Sequence, residues 1–179
     1  TFGAWLRLLR AYGEEGNRPI SWLVVADDDA ARQVRKAYAA AGATLPADVS
    51  RALMDVAKSR GSEGVSPVAT EQFNSAAVEG DSRIHLLSGG LEHTMLSGCS
   101  QLALEQLTSD LGDPDIEAVD LERWLAKRKA PWMRAVVGEK IPWSELSADA
   151  VAVLKRWLDG VMPSRDAREM LGGLNLPIS

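Results

Sequence analysis

The chain has 179 residues, of which 46% are apolar and 25% charged, and its formal net charge is −5. That length buries a core of ordinary size, and the composition excludes collagen-like, low-complexity and charge-driven disordered chains. The longest runs without a charged residue or histidine, Ala37–Ala47 and Thr94–Leu104, have 11 residues each, well short of the roughly 18 that span a bilayer, so no membrane partner is expected.

Helical signals dominate in chain order. Phe2, Trp5, Leu6, Leu9 and Tyr12 follow the i, i+3, i+4, i+7 spacing of one helix face, with Gly13 and Gly16 behind them. The next helix is expected over 28–41, with Val34, Tyr38 and Ala41 inward and Gly42 as its stop. A third, over 44–60, opens with Pro46 in its first turn and lines up Leu45, Val49, Leu53 and Val56. Residues 59–67, SRGSEGVSP, break the pattern and are expected to form a loop or hinge. The longest helix is expected over 90–111, with Leu91, Met95, Leu102 and Leu107 on its stripe. Gly98 weakens it by about 1 kcal/mol relative to Ala.

Asp113-Pro114-Asp115 is the clearest start signal. An Asp cap, a Pro at the first helical position and carboxylates at the positive end of the helix dipole predict a helix to Lys129, stopped by Pro131. A weaker break covers 138–147. Ser147 caps a helix over 148–159 with Val151, Leu154 and Leu158 inward, and Ser164 caps a final short one. Only 22–26 and 83–87 read as strands. The expected fold is all-α: a single multi-helix domain over 1–179 with roughly seven to nine helices and at most a minor two-stranded sheet.

Four segments carry chemistry-bearing residues. Ile20–Asp29, ISWLVVADDD, is an apolar run that ends in three aspartates before a helix. It resembles the first strand and acidic pocket of a response-regulator receiver domain. The resemblance covers about 20 residues of the chain and implies that Asp27, Asp28 and Asp29 hold Mg²⁺, since a hard cation takes oxygen ligands. The alternating β–α pattern of that fold does not follow, and no later strand ends in a phosphoacceptor Asp. Helix capping and the dipole account for the same three residues.

His85, Glu92, His93 and Cys99 are zinc-ligand types, but on one helix His93 and Cys99 stand about 240° apart, and their spacing matches no zinc motif. Cys99 beside a histidine is also a possible thiol nucleophile, against the common case of a buried, inert cysteine. Ser88-Gly89-Gly90 is a glycine turn before a helix that lacks the lysine of a phosphate loop. Arg123, Lys127, Arg128, Lys129 and Arg134, interleaved with Trp124 and Trp132, form the basic-aromatic cluster suited to nucleic acid or an acidic partner.

Charge is unevenly placed: residues 1–60 carry +2, 61–120 carry −10 and 121–179 carry +3. Opposite blocks favour association between copies. The favoured function is therefore a non-enzymatic helical module that associates with itself or another protein, as a coat or nucleoprotein-like subunit does, with no catalytic residue and no cofactor expected. Two alternatives stand beside it. One is a Mg²⁺-dependent enzyme using Asp27–Asp29. The other is nucleic-acid binding through Arg123, Lys127, Arg128, Lys129, Trp132 and Arg134. One cysteine permits no internal disulfide, so a cytoplasmic or other reducing compartment is expected.

Overall fold

The structure is a computed structural model that describes residues 4, 6, 8, 22–111, 117–128 and 137–161. These residues are mainly helical, with one small two-stranded sheet, as the periodicity predicts. They fall into two compact units. The first holds 1–90 and 156–161, the second 91–155 and 162–179.

The first unit is built on a parallel strand pair. Strand β1 (Val24–Asp27) lies beside β2 (Ile84–Leu87) with Val24 opposite Ile84 and Asp27 opposite Leu87. Parallel neighbours need a long crossover. Here it is a short 3-10 turn (Asp28–Ala30) followed by three helices: α1 (Ala31–Ala40), α2 (Ala47–Ser59) and α3 (Pro67–Glu79). Helix α1 ends as expected at Gly42, whose φ of 66° is the left-handed conformation that glycine adopts without strain. Val34, Tyr38, Val49, Leu53 and Val56 point into the core as their spacing predicts, where they meet Phe73, Ile84 and Leu86. Residues 59–67 form the irregular connection between α2 and α3. It is closed by a bridge between Gly61 and Gly64 and by the Ser59 hydroxyl, which accepts the Ser66 N–H at 3.2 Å.

Two side chains finish the outer edge of β2. The Val24 N–H donates to the Arg83 carbonyl, so alternate residues of β2 face β1 and Ile84 and Leu86 face away. The Asn74 amide, from α3, accepts the Leu86 N–H at 2.9 Å and donates to the Leu86 carbonyl at 2.8 Å. The Arg156 guanidinium donates to the carbonyls of Ser82 and Ile84. Burial pushes the Arg156 pKa down from its usual value, and the neighbouring Arg83 adds to the shift. An edge satisfied in this way offers no template for a third strand.

The second unit packs α4 (Leu91–Leu96), α5 (Gln101–Leu111), α6 (Leu121–Arg128) and the first part of α7 (Ala148–Val161). Its core joins Leu96, Leu107, Leu121, Leu125, Val137 and Ile141. Three expectations are corrected here. The helix over 90–111 is broken into α4 and α5, with Ser100 capping α5 through the Ala103 N–H at 3.3 Å; Gly98 in the break lets another backbone approach, since a Cβ there would lie 2.6 Å from the Glu145 carbonyl oxygen and from the Ser147 nitrogen. Only glycine admits that approach. The helix expected from Asp113 to Lys129 is not continuous, since Glu117 is extended and a 3-10 turn at Ala118–Asp120 leads into α6. Ser147 caps α7 as predicted. Its hydroxyl accepts the Ala150 N–H at 3.1 Å and donates to the Thr94 carbonyl at 2.6 Å. The helix continues through Gly160 to Val161 rather than stopping at Asp159. The segments around Phe2–Tyr12 (apart from Ala4, Leu6 and Leu8), Asp113–Asp115 and Ser164 lie outside the described residues.

Candidate functional site

The carboxyl ends of the two parallel strands bring the aspartate run and the glycine turn together. Asp28 is 6% exposed and its carboxylate accepts the Gly89 N–H at 3.1 Å and the Thr70 hydroxyl at 3.4 Å. It therefore pins the Ser88-Gly89-Gly90 turn to the start of the crossover, and no side-chain capping bond forms at the 3-10 turn. The Asp27 carboxylate lies against Gly90, where an added Cβ would meet its carbon at 3.5 Å and where φ is +89°. Asp29 is exposed and pairs with Arg60 at 3.6 Å. The three aspartates thus have three separate environments. Among the described residues no group of three His, Cys, Asp or Glu side chains is placed to hold a metal ion.

The zinc-type residues are distributed similarly. His85 is buried in β2, within the first unit. His93 lies on α4 in the second unit, with Nδ1 3.2 Å from a Glu122 carboxylate oxygen. The Cys99 Sγ is 3.8 Å from the Met95 carbonyl and 4.0 Å from that of Glu145. Burial pushes the Cys99 thiol up, and the Glu145 carboxylate adds to it, which is opposite to what an activated thiolate needs.

Of the basic cluster, Arg123 and Lys127 are exposed one turn apart on α6, while Trp124 packs partly buried against the core of the second unit. Arg128 ends the helix. Lys129, Trp132 and Arg134 lie outside the described residues.

A different surface stands out in the first unit, on a helix that the periodicity did not predict. Helix α3 buries Thr70, Phe73 and Ala77, yet its opposite face carries Val68 and Val78, 61% and 58% exposed. Counting 100° per residue, Val68, Glu71, Gln72, Ser75, Val78 and Glu79 fall within about 120° of arc. Among the described residues no cation lies within ion-pair distance of Glu71 or Glu79. The signal available in the sequence was Pro67 after Ser66, a helix start with Pro at the first position.

No protein-family model, curated protein or solved structure matches the chain. Among the described residues no helix is long and apolar enough to cross a membrane.

Proposed function

We propose that this chain is a non-enzymatic helical association module whose partner is a second copy of itself. The observation that carries this reading is the outer face of α3, where two valines stand in solvent beside two carboxylates without a cation partner. It sits in the −10 block of a chain whose flanking blocks are +2 and +3, so segments of opposite net charge are present on every copy.

Magnitudes set the strength. Fully burying a valine contributes about 1.5–3 kcal/mol, so covering both from their present exposure contributes on the order of 2–4 kcal/mol. Association costs an estimated 4–15 kcal/mol of lost rigid-body freedom, so the valines alone do not hold a complex. The remainder comes from charge, and the association is weak, concentration-dependent and salt-sensitive. Its test is the solution mass of the chain by sedimentation at about 50 mM and about 500 mM salt, across which the Debye length shrinks roughly threefold. The expected result is a mass above that of the monomer at low salt, falling toward it at high salt. A monomer at high concentration and low salt overturns the reading.

A further inference from the structure

We infer that the outer face of α3 on one copy docks in the groove between α1 and α2 on the next, so that copies join head to tail. This rests on the self-association proposed above and names the two surfaces that perform it.

The groove has a volume of about 380 Å³. Its floor is apolar: Leu53 is fully buried and Met54 half-buried. Its rim is basic, with Arg32, Arg35 and Lys36 from α1 and Lys58 from α2. Two of these cations have partners within the unit. Arg32 donates to the Ala57 carbonyl at 3.5 Å, and Lys58 pairs with Asp55 at 3.8 Å. Among the described residues, no carboxylate lies within ion-pair distance of Arg35 or Lys36. An apolar trough walled by cations fits an amphipathic helix bearing carboxylates.

The outer face of α3 carries both kinds of group, two exposed valines and two carboxylates. At 1.5 Å per residue, Val68 and Val78 stand about 15 Å apart and Glu71 and Glu79 about 12 Å apart. The groove lining runs from Ala31 to Lys36 on α1 and from Leu53 to Lys58 on α2, about 7.5 Å along each helix. One valine at a time therefore fits the groove, Val68 with Glu71 one turn on or Val78 with its neighbour Glu79, with the carboxylate beside the basic rim. Donor face and acceptor groove are different surfaces of one unit, so the contact is heterologous and propagates into a ring or a filament. Nucleic acid fits the groove less well. The floor is aliphatic and lacks the aromatic ring on which bases stack, and the chain carries a net −5.

The experiment compares full-length chains by sedimentation at low salt: wild type, R35E/K36E, E71K/E79K, and the quadruple variant that carries both. All four positions are exposed, so the folds are expected to survive, which far-UV circular dichroism checks. R35Q/K36Q and E71Q/E79Q replace any variant that does not fold. E71K/E79K sets like charges together and R35E/K36E cancels the charge of the rim, so each is expected to raise the Kd about 100-fold or more, and the quadruple variant, which pairs introduced carboxylates with introduced amines, recovers part of the association. Double variants that associate as the wild type does overturn this pairing while leaving self-association standing. A monomeric wild type overturns both. A monomeric wild type retained on a single-stranded oligonucleotide column, with retention lost in R35E/K36E, assigns the groove to nucleic acid and also overturns the inference.

Discussion

Removal of the Asn74 side chain is expected to be among the most damaging single truncations in the first unit, although the residue is only half-buried. Its amide makes two backbone hydrogen bonds to Leu86, which is fully buried at the outer edge of β2. Asn74→Ala leaves a buried N–H and a buried carbonyl without partners. Each costs about 1–3 kcal/mol, so the expected loss is about 2–5 kcal/mol. With a urea slope of about 2 kcal/mol/M, the unfolding midpoint falls by about 1–2.5 M at an unchanged slope. Asn74→Asp gives a sharper test. Its carboxylate still accepts the Leu86 N–H but sets an oxygen against the Leu86 carbonyl. That variant should lose at least as much stability at neutral pH. It should recover part of it in acid, because its carboxyl titrates above the unfolded value and the protonated form donates to the carbonyl. Urea titrations followed by circular dichroism at neutral and acid pH measure both effects. Asn74→Ala within about 0.5 kcal/mol of the wild type would refute the assignment of this amide as the edge partner of β2.

Three other outcomes are expected. Gly98→Ala drives a Cβ into the backbone at Glu145–Ser147 and should cost about 1–3 kcal/mol in the same urea assay, with a neutral result contradicting the close approach. The hydrogen bond from Lys140 at 2.6 Å, with a second from Gln106, holds the Asp110 carboxyl below its usual pKa. Lys140→Ala should therefore raise the Asp110 titration midpoint in an NMR pH series. The stability the bond supplies is present above the unfolded aspartate pKa and lost as pH falls through the folded one, so the two proteins should converge in acid. Cys99, its thiol pushed up by burial and by Glu145, should react with a disulfide reagent at neutral pH more slowly than a free thiol in the unfolded chain. A faster reaction would show an activated thiolate instead.

Where one physical signal dominated, the elements were legible in the residues. Helices α1 and α2 show clean stripes, Gly42 stops the first, and Ser147 caps α7 through its own hydroxyl. Helix α3 was hidden by the feature that makes it a candidate interface. Valines on its outer face and small inward residues, Thr70 and Ala77, flatten the contrast between its two sides. The separation of α4 from α5 was foreshadowed by Gly98. The close approach that requires glycine at 98 comes from about 45 residues downstream, the backbone of Glu145–Ser147, and no local pattern reports it. The same holds for Asp28. A run of aspartates before a helix reads locally as caps or metal ligands, but its partners, Thr70 and Gly89, come from across the crossover. The α1–α2 groove drew no notice in the sequence because Arg32, Arg35 and Lys36 alternate with core residues, which is the ordinary look of a solvated helix face.

The most direct test of head-to-tail association is the mass of an equimolar mixture of R35E/K36E and E71K/E79K at low salt. Each variant alone removes the charge complementarity between its groove and its α3 face. In the mixture, the unchanged basic groove of E71K/E79K meets the unchanged acidic α3 face of R35E/K36E. The account predicts that each variant sediments as a monomer by itself and that the mixture forms mixed pairs. A mixture that stays monomeric, from a wild type that associates, would contradict it.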